Sequence, residues 1–384
     1  MNILILTHSY PCTIESYGGI FVKEQAKALS SDHQVFVVCF NVNYENLSPF
    51  SSGQFIKRQH GNLTEYFFKT GRSFPIINQY KYLKDTYWFI RNTILRDNKI
   101  DIIHCHVSYP SGILGVIISK AKKIPCILTE HTAIKKLYRS IIHKLCVNYA
   151  LKKASALICV SNSLRKEVRL VVNRRVFVVP NIVNTNKITS AEHPDSEVVN
   201  IGFLGNLNSR NKGLDILLMA MSKLNNRKYK LHIGGNGILL QDFQKMSEEL
   251  GIKDDCIFYG NIIPAKLGDF LSGLSFFVLP SRYETFGIVL IEAMAAGLPV
   301  ISTKCGGPED FVTAETGILI PPGDVNGLEN AIIEMEAKIK SYKREKIRAY
   351  AINTFGEKAF IERINPIYQS LHQTQAPSPS LLSK

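Results

Sequence analysis

The sequence predicts an α/β protein of two doubly wound, parallel-sheet domains. Three observations carry this reading. Short apolar runs of strand length alternate with helical patterns along the whole chain, the rhythm of β-α-β units. The 384 residues suffice for two domains, each able to bury a core. Between the halves lies PNIVNTNKITSAEHPDSEVVN, a polar stretch without periodicity that reads as a linker. Open parallel sheets bind ligands at the carboxyl ends of their strands. Two such domains facing each other would enclose a central cleft.

In the first half the expected strands are 2–6, 34–40, 101–105, 125–129, 156–160 and 176–179, all continuous apolar runs. Helical patterns lie at 19–30, 80–97, 111–121, 134–152 and 161–168. In the second half strands are expected at 199–204, 229–234, 256–259, 275–279, 299–302 and 317–319. Helices are expected at 212–224, 238–250, 264–272, 286–296 and 325–339. This gives an N-terminal domain at 1–180, a linker at 181–197 and a C-terminal domain at 198–355. A helix at 356–372 follows and joins the N-terminal domain. The Pro/Ser-rich end, QTQAPSPSLLSK (373–384), is expected to be a flexible tail.

Composition is that of a globular protein: 45% hydrophobic and 20% charged, which excludes disorder and coiled coil as whole-chain descriptions. The formal net charge is +14. Residues 1–190 hold 26 basic and 10 acidic side chains, leaving 20 and 22 for the rest, so the halves carry +16 and −2. Residues 120–175 alone hold 14 basic and 2 acidic groups. Such a face attracts nucleic acid, anionic lipid or a phosphorylated substrate, or is a solvated surface tuned for solubility. The eight cysteines form no CxxC pair and most lie in apolar runs, as in VFVVCF and ALICV. They read as reduced thiols in a cytosolic protein. The apolar run of MNILILTHSYP is too short for a signal peptide, and no stretch is long enough for a transmembrane helix.

The most informative segment is SFFVLPSRYETFGIVLIEAMAAGLPVISTKCGG (275–307). A buried strand meets a Pro-Ser turn, a loop carries Glu284, and a helix opens near Phe286 and Gly287. Glu292 follows on an otherwise apolar helix that stops at Gly297 and Pro299. A carboxylate there needs a partner, and a salt bridge at the helix rim would satisfy it as well as a ligand. A second segment, IGFLGNLNSRNKGLDILLM, runs from a strand end at Gly205 through a polar loop to Lys212 and Gly213. A third, YKLHIGGNGILLQDF, places Gly234 to Gly237 between a strand and a helix, and IFYGNIIP (257–264) contains Ile262. In the first half, YGGIFVKEQAKALS puts Gly18 and Gly19 at a helix start, and IPCILTEHTA puts Glu130 and His131 at a strand's carboxyl end. The strand DIIHCHVSYPSG adds His104 and His106.

Taken together, PSxxExFGxxxxEAMAxGxPVI, continued through Lys304, Gly306, Gly307, Pro308 and Glu309 to TGILIPPGD (316–324), resembles the donor-binding signature of the retaining glycosyl transferases group 1 family. That resemblance implies the GT-B fold, two Rossmann-like domains facing a central cleft. It implies catalytic roles for Glu284, His131 and Lys212. Glu284 resembles the glutamate that accepts hydrogen bonds from donor-sugar hydroxyls, His131 the cleft histidine, and Lys212 the lysine that neutralises the diphosphate. Nucleotide-sugar binding is implied for Gly18, Gly19, Arg210, Gly235, Ile262, Phe286, Gly287 and Glu292, with Glu292 on the ribose hydroxyls. The family's usual arginine position holds Asn206 here and the loop is one residue longer, so Arg210 stands as the substitute. His106 is expected on the acceptor side and His104 packed.

The sequence has no Asp-x-Asp at a strand end, no His/Cys metal spacing, no nucleophile elbow and no P-loop. The expectation is metal-independent transfer of a hexose or N-acetylhexosamine with retention, without a cofactor. The donor is a nucleoside-diphosphate sugar, UDP-linked by preference, with GDP-mannose as the alternative. The acceptor is a saccharide, expected to be lipid-linked, in surface polysaccharide synthesis. The basic block AIKKLYRSIIHKLCVNYALKK (Ala133–Lys153) repeats Leu137, Ile141, Leu145 and Tyr149 every four residues among lysines. This fits either a helix lying on an anionic membrane or one packing on its own sheet. YKYLKDTYWFI (Tyr80–Ile90) adds aromatics for a headgroup layer or a core. The expected location is cytoplasmic, at the inner face of the plasma membrane. Two other classes compete: a nucleic-acid binder, for which no reading motif is present, and an inactive relative serving as an assembly subunit.

Overall fold

The computed structural model describes residues 1–11, 18–40, 55–68, 76–185, 188, 197–224 and 228–373. The chain forms two compact units, Met1–Ile182 with the segment from Glu357 onward, and Val183–Gly356.

The first unit holds an eight-stranded sheet in the order β3-β4-β2-β1-β5-β6-β7-β8. The strands are β1 (Asn2–Thr7), β2 (Gln34–Phe40), β3 (Phe55–His60), β4 (Leu63–Phe68), β5 (Ile102–His106), β6 (Cys126–Glu130), β7 (Ala156–Cys159) and β8 (Phe177–Val178). Its helices are α1 (Ile20–Leu29), α2 (Ile76–Phe89), α3 (Ile113–Lys122), α4 (Ile134–Leu137), α5 (Ile141–Lys153) and α6 (Asn162–Arg169). All strand pairs are parallel except β3 with β4. β1, β2 and β5 to β7 are buried almost throughout, which is why they read as continuous apolar runs.

The second unit holds an all-parallel sheet, β11-β10-β9-β12-β13-β14. Its strands are β9 (Val199–Leu204), β10 (Tyr229–Gly234), β11 (Cys256–Gly260), β12 (Phe276–Leu279), β13 (Val300–Thr303) and β14 (Gly317–Ile320). Its helices are α7 (Leu214–Lys223), α8 (Leu240–Glu249), α9 (Leu267–Ser272), α10 (Ile288–Ala295), α11 (Val325–Lys338) and α12 (Arg344–Phe355). α13 (Glu357–Gln373) then returns to the first unit. It sets Phe360, Ile364, Ile367 and Tyr368 into the core with Ile3, Ile5 and Val22.

Three local features depart from the sequence expectations. The hairpin β3–β4 was not expected. β3 (FIKRQH) is an edge strand whose polar residues face water, so it shows no apolar run. The helix expected at 134–152 is two helices: α4 ends at Leu137, and Ser140 caps α5 by accepting from His143 N. The expected helix at 325–339 is followed by α12, whose charged sequence REKIRAYAINTF hid its buried Ile347, Ala351 and Phe355. Seven described cysteines are free thiols, and Cys12 lies outside the described residues. Part of the expected linker and nearly all of the expected tail also lie outside them.

Strand order fixes where chemistry can sit. In the second unit β9 lies between β10 and β12, so the loops leaving β9 and β12 depart to opposite sides of the sheet and leave a crevice. In the first unit β1 between β2 and β5 makes the same arrangement.

Candidate functional site

In the second unit the crevice is built from the two diverging loops. The β9 loop reaches Lys212 through a short turn (Arg210–Lys212), and Gly213, at φ +76°, opens α7. The β12 loop carries Glu284. The Lys212 ammonium lies 2.5 Å from Glu284 Oε1. Ser281 Oγ donates to the same oxygen at 2.9 Å. Glu284 is only 7% exposed, so its charge depends on these partners. Its backbone is fixed as well: Glu284 N donates to the Cys305 carbonyl and Gly307 N to the Glu284 carbonyl. A cation and a carboxylate are thus held together at the strand ends.

Beneath them lies a clamp that no motif announces. Arg282 grips Asp215, the second residue of α7, with two nitrogens at 2.9 and 2.8 Å, and also donates to the Arg210 carbonyl. Arg282 N donates to the Asn211 carbonyl, and Asn211 Nδ2 to the Tyr283 carbonyl. These contacts tie the two loops to each other, so Lys212 and Glu284 meet by construction. The clamp's members are 67 residues apart and carry no local signature; a charged pair at a turn and a helix start is the only trace. Arg210 itself points outward, with a 63% exposed side chain and a nearest carboxylate at 3.9 Å. Asn206 turns back on its own loop, accepting from Asn208 N.

α10 opens at Gly287, which sits at φ +92°. Phe286 is buried against Phe311 and Phe355. Glu292 lies one turn further along the helix. The salt bridge that the sequence allowed is not there: among the described residues its carboxylate has no hydrogen-bond or ion-pair partner. Solvent reaches part of the residue, while the protein packed around its carboxyl pushes the pKa up to about 8 by burial. An acceptor without a protein donor is suited to a ligand hydroxyl. Gly235, at φ +134°, lies so close to the β9 loop that a Cβ would strike the Gly205 carbonyl oxygen. Ile262 is buried beside Gly234.

The first unit holds the remaining candidates. Gly19 caps α1 in a left-handed conformation, where a Cβ would collide with the Ser9 carbonyl; Gly18 beside it is exposed. His131 follows β6 and packs against Phe21, the tilted rings 4.4 Å apart. Its Nε2 shares a hydrogen bond with His106 Nδ1 at 2.9 Å, and the Asn181 side chain lies near the ring. Burial, with His104 and His8 nearby, lowers its pKa to about 3, so the ring is neutral at physiological pH. His104 bridges Tyr368 Oη and Thr129 Oγ1, both at 2.7 Å. Glu130, which the sequence places at the end of β6 without a role, holds the two loops here. Its Oε1 accepts from His131 N and Thr132 N, and its Oε2 from the backbone and hydroxyl of Ser108. The candidates therefore form two sets, one at the strand ends of each unit.

Comparison with known proteins agrees with this arrangement. The family model for glycosyl transferases group 1 matches residues 185–354, and that for glycosyltransferase family 4 matches residues 18–187. The chain belongs to the group 1 glycosyltransferases and has the GT-B fold of two Rossmann-like domains. It is 25% identical over 354 residues to the UDP-Gal:alpha-D-GlcNAc-diphosphoundecaprenol alpha-1,3-galactosyltransferase of Escherichia coli, covering 82% of this chain and 87% of that protein. Its fold matches sucrose-phosphate synthase from Thermosynechococcus elongatus with a TM-score of 0.83 at 21% identity, over 97% of this chain and 100% of the other. It likewise matches Anabaena HepE, solved with UDP and glucose, with a TM-score of 0.75 at 19% identity over 96% and 100%.

Proposed function

We propose that this glycosyltransferase moves a hexose or N-acetylhexosamine from a UDP-sugar to a lipid-linked saccharide, with retention and without a metal ion. The observation that carries the reading is the Lys212–Glu284 pair, held at the crevice between β9 and β12 with Glu284 buried and Lys212 half-buried. Lys212 stabilises the charge that develops on the leaving diphosphate, the task a divalent cation performs elsewhere. Arg210 swings in from its exposed position to add a second cation. Glu284 accepts hydrogen bonds from the sugar hydroxyls, and Glu292 accepts from the ribose diol. The E. coli relative named for UDP-galactose and a diphosphoundecaprenol acceptor supports both substrate classes.

The acceptor hydroxyl attacks the anomeric carbon on the face from which the diphosphate departs. The new glycosidic C–O bond forms as the C–O bond to phosphate breaks, and the departing phosphate oxygen takes the acceptor proton. His131, held neutral, positions a sugar hydroxyl. A ring whose pKa lies near 3 is too weak a base for more.

The lipid surface is inferred from α5. The helix buries Val147, Ala150 and Leu151, and leaves Ile141 69% and Leu145 63% exposed, with Ile142 and Tyr149 beside them. Lys120 on α3 caps the stripe by bonding the Tyr149 hydroxyl at 2.6 Å. An apolar stripe among lysines that faces outward suits an anionic bilayer surface. Trp88 on α2 is also exposed, whereas Tyr82 and Phe89 are buried. The side chain of Tyr80 lies outside the described residues. Among the described residues no helix is long and apolar enough to cross a membrane.

The test is UDP release from UDP-glucose, UDP-galactose and their N-acetyl analogues, with a lipid-diphosphate saccharide acceptor and a chelator present. Turnover in chelator, with an anomeric configuration unchanged in the product's NMR spectrum, is expected. Activity that requires added metal, or an inverted product, overturns the mechanism.

A further inference from the structure

Three buried imidazoles lie in a row at the carboxyl ends of β5 and β6. His104 and His106 are two apart on β5, so their side chains share one face of the sheet. Their rings stack with centroids 4.6 Å apart, and the rings of His106 and His131 lie 5.2 Å apart. His104 is fixed at both nitrogens, Nδ1 by the Tyr368 hydroxyl of α13 and Nε2 by the Thr129 hydroxyl of β6. It gives His106 a rigid floor.

His106 is held differently. Its residue is 1% exposed, its Nδ1 meets His131 Nε2 at 2.9 Å, and its Nε2 has no hydrogen-bond partner among the described residues. Buried polar groups are ordinarily satisfied by the protein around them. The one hydrogen bond of this ring goes to the histidine of the candidate site.

All three rings are neutral at physiological pH. Burial lowers the pKa of His104 and His131 to about 3, and burial with His104, His131 and His8 nearby holds His106 well below its ordinary value. A neutral imidazole has one N–H and one bare nitrogen. The bond between His106 and His131 therefore takes one proton, and the tautomer of one ring dictates that of the other. If His106 donates, the proton of His131 sits on Nδ1. If His131 donates, its Nδ1 is bare.

Two observations choose between these. A proton on His106 Nε2 would be a buried N–H without an acceptor, which folded proteins tolerate less often than an acceptor without a donor. Beside His131, the Asn181 side chain raises the ring's pKa against the effect of burial, as an amide oxygen does when it accepts a ring N–H. Asn181 is held in turn by Gln25 of α1, whose Nε2 donates to its Oδ1 at 3.4 Å. Both place the protons on the two Nδ1 atoms.

We propose that His106 is a positioning residue: it donates its Nδ1–H to His131 Nε2 and so holds His131 in the Nδ1-protonated tautomer, which meets the sugar hydroxyl as a hydrogen-bond donor. The His131 Nδ1–H is then shared between the Asn181 amide and the sugar oxygen as a three-centre bond. This rests on the reading of His131 as the group that positions a sugar hydroxyl, and it names the residue that sets how His131 does so.

The test is the tautomer itself, read from long-range ¹H–¹⁵N NMR correlations of full-length protein labelled at its histidine rings. His131 is assigned by the signals that His131→Gln removes. At pH 7 the parent is expected to show His131 protonated at Nδ1 and bare at Nε2. His106→Phe keeps a flat ring against His104 but donates nothing, so His131 should shift toward the Nε2–H form that a free imidazole favours. His106→Asn carries an amide N–H near the place of the lost Nδ1–H and should restore the parent tautomer. UDP release from the same UDP-sugars should follow, falling about tenfold in His106→Phe and recovering to within a few-fold of the parent in His106→Asn. A parent whose His131 is protonated at Nε2 overturns the proposal, and that measurement needs no variant to fold. So does a His106→Phe protein whose His131 keeps its tautomer, or a turnover that falls alike in both variants. The tautomer is read without substrate, so a parent that shows the expected form and turns over none of the UDP-sugars loses the transferase reading alone.

Discussion

Glu292→Gln should make the protein more stable and a worse binder of its donor, and both effects should depend on pH. The carboxyl of Glu292 has its pKa raised from 4.5 to about 8 by burial. Below pH 4.5 it is protonated in folded and unfolded chains alike and contributes nothing. Between 4.5 and 8 the unfolded chain carries the charge and the folded one does not, so stability falls by about 1.4 kcal/mol per pH unit. At pH 7 the accumulated cost is about 3.4 kcal/mol; above pH 8 it levels off near 5 kcal/mol. Glutamine does not ionise and escapes this, although burial of its amide offsets part of the gain. Chemical denaturation from pH 5 to 8.5 should therefore show a stability difference that grows with pH in favour of the variant. Ionising Glu292 to receive a ribose diol at pH 7 costs about 1.4 kcal/mol. Two charge-assisted hydrogen bonds at roughly 1.5–3 kcal/mol each exceed that. UDP-glucose binding to the parent at pH 7 should then release about 0.9 proton, measurable by calorimetry in buffers of different ionisation enthalpy. The variant should release none and bind at least about tenfold more weakly. A stability difference that ignores pH refutes the buried, partnerless carboxyl; binding without proton release refutes its role at the diol.

Three further outcomes follow from the same geometry. Glu284→Ala removes the Lys212 and Ser281 partner and should lower kcat by roughly 10²–10³-fold; a turnover within a few-fold of the parent would place the sugar site elsewhere. Gly235→Ala puts a Cβ against the Gly205 carbonyl at φ +134° and should cost about 2–3 kcal/mol of stability in denaturant titrations; an unchanged midpoint would show that the loop yields. Ile141→Glu/Leu145→Glu alters exposed positions, so the unfolding midpoint should hold while flotation with phosphatidylglycerol vesicles falls roughly tenfold or more. The parent floating equally with neutral phosphatidylcholine would refute the electrostatic part.

The β/α rhythm was legible because parallel strands covered on both faces leave unbroken apolar runs. The same logic hid β3, whose FIKRQH sequence pairs on one side only and shows polar groups to water. Periodicity carried the eye through 134–152, while the backbone broke at Tyr138–Ser140 and Ser140 started a new helix. At the site, the resemblance supplied Lys212 and Glu284, but neither motif nor spacing shows that residues 72 positions apart meet at 2.5 Å. The Arg282–Asp215 clamp and the Glu130 grip were invisible for the same reason: polar pairs across loops have no periodic signature. Glu292 was the reverse case, since the sequence permitted a salt bridge and only the structure shows the carboxylate left without one.

The uneven charge can now be assigned by location. A basic block whose apolar residues packed on their own sheet would be a solvated face and nothing more. Ile141 and Leu145 point outward instead, so burial of the helix does not account for the pattern. The break at Tyr138–Ser140 divides the block's cations between two places. Lys136 and Arg139 line a cavity with His8, Val107 and Thr132, just beyond the ends of β1, β5 and β6, while Lys144, Lys152 and Lys153 remain on the helix with the exposed stripe. A single continuous helix over 134–152 would carry its cations along one rod and could not turn Lys136 and Arg139 into that cavity. The interruption that periodicity missed is therefore what separates the segment's two sets of cations, one lining the cavity and one beside the exposed stripe.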